Sequence, residues 1–172
     1  MKTTAFLILF ALSLSADILI SPQEAMALAY KDATQITKKN ILLTNEQTQK
    51  IQEEAKVKLS TKIYRVFKAQ KEDKVLGYGI LINETVRSKN AVILYFISHD
   101  SILKGIEIIA FNEPPEYLPS KEWSSQFQNI ETTKMLRISK EIPTITGATM
   151  SARSVTDGSR VAFALYNQLL KD

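Results

Sequence analysis

The centre of the chain contains two neighbouring runs, Ile63-Tyr64-Arg65-Val66-Phe67-Lys68-Ala69 and Val75-Leu76-Gly77-Tyr78-Gly79-Ile80-Leu81-Ile82. Both runs are rich in β-branched and aromatic residues, and the charged segment from Lys71 to Lys74 separates them, so they predict a β-hairpin. Gly77 and Gly79 alternate on one face of its second strand. That pattern suits the close approach of another backbone or of a flat ligand, and bulge or packing glycines explain it equally well.

Two more strands are predicted downstream, from Ala91 to Ile97 and from Lys104 to Phe111, which gives an antiparallel sheet of at least four strands. Three prolines then fall between Asn112 and Pro119. Because proline lacks a backbone N–H, this segment is predicted to be a stiff loop. A short helix that carries Trp123 is expected after it, at residues 121–126.

Capping residues predict a pair of helices before the sheet. Ser21-Pro22-Gln23-Glu24 combines an N-cap serine, a first-turn proline and an acidic third position, so a helix is predicted from there to about Lys39. The same capping logic predicts a second helix from Thr44 to about Leu59.

The last helix is predicted to begin near Thr149 or Ser151 and to reach about Lys171. It carries an apolar stripe that should pack on the sheet, formed by Val155, Gly158, Ala162, Leu165 and Leu169. The predicted fold class is therefore α+β, with an antiparallel sheet of at least four strands packed with an N-terminal helical pair and a long C-terminal helix.

The first residues have the pattern of a secretory signal peptide. An apolar run from Ala5 to Leu14 is followed by small residues, and Asp17 interrupts it before the length of about 20 residues that a spanning helix needs. An uncleaved anchor is the alternative, because apolar residues resume after Asp17. We expect an exported domain, periplasmic or extracytoplasmic, with inner-membrane association if the segment is retained. The predicted division is a signal peptide at 1–16 and a single domain at 17–172, with a helical lead-in at 21–59 and a core at 62–171.

The composition excludes several kinds of site. The chain has no cysteine, which excludes disulfides, thiolate metal sites and iron–sulfur ligation. Its single histidine, His99, lies in a polar segment that we interpret as an exposed turn. Two-histidine metal motifs are therefore impossible, and we predict neither a metal site nor a catalytic residue. The formal net charge is +4 and the lysines are scattered, so no nucleic acid partner is expected.

A cluster of hydroxyl and small residues precedes the last helix, in the segment Thr144-Ile145-Thr146-Gly147-Ala148-Thr149-Met150-Ser151. Free backbone N–H groups and the helix dipole stabilise anions at a helix N-terminus, and glycine permits close approach of a ligand. Serine, threonine and glycine also cap many helices that bind nothing. The residues alone therefore leave two interpretations, a phosphate site and an ordinary cap.

Thr146-Gly147-Ala148-Thr149, followed by Met150-Ser151, resembles the Ser/Thr-Gly-Ala-Thr-x-Ser/Thr signature of the FMN-binding domain family. That family includes the G subunit of Rnf complexes and the C subunit of sodium-pumping NADH:quinone oxidoreductases. The resemblance departs from the family at Pro143, where an aspartate is frequent, and at Ala110-Phe111-Asn112, where a histidine often precedes the Glu-Pro loop. It extends from about Ile63 to Leu170, through Tyr64-Arg65-Val66, Gly77-Tyr78-Gly79-Ile80, Glu113-Pro114-Pro115, Trp123 and Phe127.

The resemblance implies a covalently bound cofactor. In the family, a flavin transferase moves FMN from FAD onto the second threonine of the motif as a phosphoester, and the matching residue is Thr149. The implied phosphate contacts are Thr146, Gly147, Ala148 and Ser151. The candidates for positioning the ring and tuning its potential are Glu113, Pro114, Tyr78 and Trp123. For Tyr78 and Trp123, an ordinary core or rim position is the alternative.

The resemblance leads to three functional hypotheses. The first is an exported electron carrier, rather than a stand-alone enzyme, that relays electrons between a membrane redox complex and an extracytoplasmic acceptor. The second is a non-catalytic binding or assembly module whose flavinylation motif has decayed, as Pro143 suggests. The third is a flavin reductase or oxidase, and no acid–base cluster near the motif supports it.

Overall fold

A computed structural model describes residues 19–171, so the predicted signal peptide at 1–16 lies outside the described residues. Within that range, six strands form one antiparallel sheet in chain order, and no helix is both long and apolar enough to span a bilayer. The strands are β1 (Gln35–Leu42), β2 (Ile63–Lys71), β3 (Lys74–Thr85), β4 (Asn90–Ser98), β5 (Ile102–Phe111) and β6 (Ile130–Glu131). The helices are α1 (Pro22–Ala29), α2 (Asn45–Ala55), α3 (Lys121–Ser124) and α4 (Thr149–Leu169), with a 3-10 turn at Pro115–Tyr117. The α+β prediction is confirmed.

Helices cover the sheet on both faces. The larger apolar cluster contains residues of α2, α4 and one face of the sheet, and the smaller cluster contains α1 and the opposite face. Successive strand residues point to opposite faces, so neighbours such as Val66 and Phe67 are both buried but belong to different clusters. This two-sided cover explains why β3 and β4 are nearly continuous apolar runs.

The first predicted helix is wrong beyond Ala29. Its start is confirmed, because the Ser21 hydroxyl accepts the N–H of Glu24 at 3.2 Å, but residues Gln35–Leu42 form β1 and pair antiparallel with β2. Most β1 side chains are exposed, so the strand shows little apolar alternation in sequence. It satisfies the outer backbone groups of β2, and Lys38 and Lys39 keep the new edge polar.

The two glycines of β3 make room for α1. An ideal Cβ on Gly77 would meet the Tyr30 ring and the Ile97 carbonyl, and one on Gly79 would meet the Met26 thioether. The Tyr30 hydroxyl donates to the Ile97 carbonyl at 2.9 Å. The space above both glycines is thus filled by α1, which supports the packing interpretation over a flat ligand.

Helix α4 is fixed to the sheet by tyrosines. The Tyr95 hydroxyl of β4 donates to the Val155 carbonyl at 2.8 Å, and Gly158 leaves space for the fully buried Tyr95 ring. The Tyr166 hydroxyl donates at 2.9 Å to the carbonyl of His99, which lies just after the last residue of β4. The N-terminus of α4 therefore lies at the end of the sheet where β4 begins and β5 ends.

We expect Gly158→Ala to lower the free energy of unfolding by about 1–3 kcal/mol, because the added methyl group overlaps the buried Tyr95 side chain. In an unhindered helix the same change is stabilising by about 1 kcal/mol. Gly105→Ala is the matched control, since the nearest atom to its Cβ is 4.0 Å away. Urea denaturation of both variants tests the prediction, and a stabilised Gly158→Ala protein would contradict it.

Candidate functional site

The motif residues form an open helix start. Ala148 is the N-cap residue of α4 and no side chain caps the helix, so the first-turn N–H groups lack a side-chain acceptor. Gly147 has φ +78°, and nothing lies within 4 Å of an ideal Cβ there. Thr149 is exposed, and its hydroxyl has only a long contact of 3.4 Å to the Ile145 carbonyl. The hydroxyl oxygen is accessible for substitution.

Two buried hydroxyl groups near this helix start lack partners. The Oγ atoms of Ser151 and Ser154 have no hydrogen-bond partner among the described residues. Both residues are buried, and only 1% of Ser151 is exposed. Unpartnered buried hydroxyls are rare in folded proteins, because each costs free energy unless water or a ligand satisfies it. Both hydroxyls are therefore polar groups near the helix start without an acceptor in the described part of the chain, and neither residue lines the cleft beside the motif.

A cleft of about 960 Å³ opens beside the motif. Met150, the neighbour of Thr149, lines one part of it. Its size falls within the range of small-molecule and cofactor sites. The remaining lining comes from two loops, Arg87, Ser88 and Lys89 after β3, and Asn112, Glu113, Pro114, Pro115 and Tyr117 after β5.

Glu113 joins the two loops of the cleft. Its Oε1 accepts the backbone N–H groups of Arg87, Ser88 and Lys89 at 2.9, 2.6 and 2.8 Å. These bonds favour the carboxylate, and the bond from Ser88 contributes most to lowering the pKa of Glu113. The side chain is buried, so its role in the structure is to fix the turn between β3 and β4.

The charged lining of the cleft is mainly positive. The guanidinium carbon of Arg87 lies 4.5 Å from the centroid of the Tyr117 ring, a cation–π contact that holds the side chain over the second loop. Lys89 adds a second cation to the lining. Among the described lining residues the acidic side chain is Glu113, whose carboxylate already accepts three N–H groups.

Trp123 contacts the loop that precedes the motif. Its indole Nε1 donates to the Pro143 carbonyl at 2.9 Å, and its ring packs on Phe127 with centroids 5.2 Å apart. Trp123 is 8% exposed and does not line the cleft. The indole therefore fixes the loop that leads to the motif.

Tyr78 lies apart from the motif. Its ring contacts the Tyr166 ring, with centroids 6.0 Å apart. Tyr166 is about five turns, or about 25 Å, beyond Thr149 along α4. The structure thus brings together the motif, Glu113 and Pro114, but it separates Tyr78 from them. We therefore leave Tyr78 out of the site.

Sequence reasoning missed Arg87, Lys89, Tyr117 and Met150 as lining residues. The available signal was two cations within one short segment between strands, at Arg87-Ser88-Lys89. These cations lie beside the loop after β5 because of the pairing between β4 and β5. At the end of that pairing the Asn112 N–H donates to the Asn90 carbonyl at 3.1 Å.

A partly buried carboxyl group lies at the same end of the sheet. Glu84 is near the end of β3, and burial together with the Asp157 carboxylate raises its pKa to about 7. Asp157 pairs with Arg160 on the next turn of α4. Burial and the charge of Glu84 also raise the pKa of Tyr64 to about 12.

Comparisons with known proteins agree on one family. The sequence model of the FMN-binding domain family matches residues 24–164. The G subunit of a Na(+)-translocating ferredoxin:NAD(+) oxidoreductase complex from Acetobacterium woodii is 28% identical over 134 residues, which cover 72% of this chain and 65% of that protein. The chain thus spans less than two thirds of that curated relative. The crystal structure of NqrC from Shewanella oneidensis shares the fold, with TM-score 0.56, 15% identity, and coverage of 88% of this chain and 90% of that chain.

We expect Glu113→Gln to destabilise the protein at pH 7, because the neutral amide is a weaker acceptor for three N–H groups. A carboxyl with a lowered folded pKa stabilises the fold above its unfolded value of 4.5 and loses that contribution as pH falls through the folded value. The stability difference from wild type should therefore shrink as the pH falls below 4.5. Urea denaturation at pH 7 and pH 3.5 measures it. Glu116→Gln, on an exposed side chain of the same loop, should show no such difference.

Glu84→Gln should have the opposite pH dependence. A carboxyl whose folded pKa is raised stabilises the fold fully below the unfolded value of 4.5 and loses that contribution as pH rises through about 7. Between pH 5 and pH 8, wild type should therefore lose stability relative to Glu84→Gln. Thermal unfolding across this range checks the prediction, with the exposed Glu122→Gln as control. Parallel curves for wild type and Glu84→Gln would show that Glu84 titrates as a solvent-exposed carboxyl does.

Proposed function

The chain belongs to the FMN-binding domain family, whose sequence model matches residues 24–164, and we propose that it carries FMN through a phosphoester to Thr149. In this proposal the protein is an exported electron carrier. It relays electrons between a membrane redox complex and an extracytoplasmic acceptor. A flavin transferase installs the cofactor.

The observation that carries this proposal is the setting of the Thr149 hydroxyl. It is exposed at an uncapped helix start, next to the cleft residue Met150. A phosphate on this oxygen would meet the first-turn N–H groups and the positive end of the helix dipole. The unpartnered Ser151 hydroxyl is close in sequence and fits as a donor to the same group. Thr146, Gly147 and Ala148 complete the proposed phosphate loop.

The chain's own residues position the flavin in this proposal. FMN supplies one- and two-electron transfer once it is bound. Pro114, Pro115, Tyr117 and Met150 provide the apolar lining against which a planar ring packs. Glu113 holds the turn on the cationic side of the cleft, and Trp123 holds the loop before the motif.

The proposed partners follow from the Acetobacterium woodii relative. The Acetobacterium woodii protein is a subunit of a sodium-translocating oxidoreductase complex. Ion translocation requires a membrane, so we propose that a membrane electron-transport complex exchanges electrons with this chain. An exported protein cannot draw on cytoplasmic FMN, and a covalent bond keeps the cofactor from being lost by dilution.

Coexpression with a flavin transferase tests the acceptor residue. We expect the protein to be yellow and to gain about 438 Da, the mass of FMN minus water. Trypsin should release the modified peptide Glu141–Arg153, whose fragment ions should assign the added mass to Thr149. Thr149→Ala should remain colourless and keep its apo mass, because no hydroxyl is left to form the ester.

Thr144→Ala is the matched control, since it removes an exposed hydroxyl from the same peptide and should leave the modification intact. Circular dichroism establishes that each variant is folded. A colourless wild-type protein of unchanged mass would reject flavinylation and favour the binding or assembly module. Modification of Thr149→Ala would reject Thr149 as the acceptor.

A further inference from the structure

We propose that Arg87 raises the reduction potential of the flavin by placing a fixed positive charge at the cleft. This inference rests on the proposed function, because it requires FMN at Thr149. In a reductive titration, two electrons from dithionite and one proton from solvent convert the neutral oxidised ring into a reduced ring with one negative charge. A nearby guanidinium favours the charged form over the neutral form, so it shifts the equilibrium towards reduction.

The guanidinium of Arg87 is held in place before any ligand binds. The Tyr117 ring lies 4.5 Å from its central carbon, and the backbone N–H of Arg87 is bonded to Glu113 at 2.9 Å. A free arginine side chain would lose rotamer entropy on approaching a ligand. The contacts with the neighbouring loop reduce that cost, so the charge is already oriented along the cleft.

The Glu113 carboxylate that joins the two loops offsets only part of the positive charge of the cleft, because Arg87 and Lys89 carry two positive charges against its one negative charge. The charge of Arg87 helps to lower the pKa of Glu113, but less than the N–H groups of Ser88 and Lys89 do. Glu113 accepts N–H groups of the turn through Oε1, and those N–H dipoles compensate its carboxylate. Glu116 belongs to the same 3-10 turn as Tyr117 but does not line the cleft. A bound flavin therefore faces a cleft with a net positive lining.

Arg87 is distinguished from Lys89 by its fixed geometry. Both line the cleft and carry the same charge. The difference is the Tyr117 ring, which holds the Arg87 guanidinium. Both residues are exposed, but a lysine ammonium is more strongly hydrated than a guanidinium stacked on a ring, so we expect its field at the flavin to be screened more. Lys89→Gln is therefore the matched control for Arg87→Gln.

The test is a spectroelectrochemical titration of flavinylated wild type, Arg87→Gln and Lys89→Gln. Arg87→Gln should lower the preference for the reduced flavin about tenfold, which is about 30 mV for a two-electron couple. Lys89→Gln should shift it by less than half as much. High salt should reduce the difference between wild type and Arg87→Gln.

Intact mass separates the two proposals. A wild-type protein without the added flavin mass overturns the proposed function and this inference with it. Fully flavinylated variants with equal midpoint potentials overturn only the role of Arg87, and so does a shift in Lys89→Gln as large as that in Arg87→Gln. A lower potential in Arg87→Gln alone, with the flavin mass intact, supports the inference.

Discussion

The location of the candidate site depends on how α4 is fixed to the sheet. The Tyr95 hydroxyl donates to the Val155 carbonyl, and the Tyr166 hydroxyl donates to the His99 carbonyl. These bonds lie at two points along one helix and along one neighbouring strand, so they fix both the direction and the rotation of α4. Rotation of α4 would break both bonds, one from Tyr95 of the sheet and one from Tyr166 of the helix, and would leave buried polar groups unpaired. Thr149 therefore emerges where the loops after β3 and β5 meet, and packing two turns away determines which surface its hydroxyl faces.

The carboxylate of Glu113 fixes the positions of the two loops of the cleft. Three N–H groups converge on one oxygen, which ties the end of β5 to the turn between β3 and β4. Glu113 therefore fixes the positions of the two loops, and the dipoles of the three N–H groups partly compensate its negative charge. Arg87 and Lys89 outnumber this acid in the lining, so the cleft as a whole presents positive charge to a ligand. Glu113 is a sequence-based candidate for positioning the flavin ring and tuning its potential, and in the structure its carboxylate fixes the turn between β3 and β4.

Local patterns predicted the hairpin and the start of α4, because strand alternation and helix capping depend on residues close in sequence. β1 was missed, since an edge strand with mostly exposed side chains has little apolar alternation. The contact between Arg87 and Tyr117 was also beyond a sequence pattern, because it depends on the register of two strands and on the loop after β5. Tyr78 illustrates the same limit. Its strand was predicted correctly, but which part of α4 it meets follows only from the packing of the whole helix against the sheet.

The shape of the cleft gives a physical reason for a covalent tether in the proposed function. The cleft is formed by surface loops rather than by the core, and its lining mixes prolines and charged side chains with Tyr117 and Met150. Such a lining buries little of a planar ring, so the apolar contribution to affinity is small. A bond to Thr149 makes the approach of the ring intramolecular, which corresponds to an effective concentration of about millimolar for a short flexible linker. A weak site is then sufficient to hold the ring, and the exposed ring edge remains accessible to a partner. In the proposed function, the open cleft and the tether are therefore complementary features.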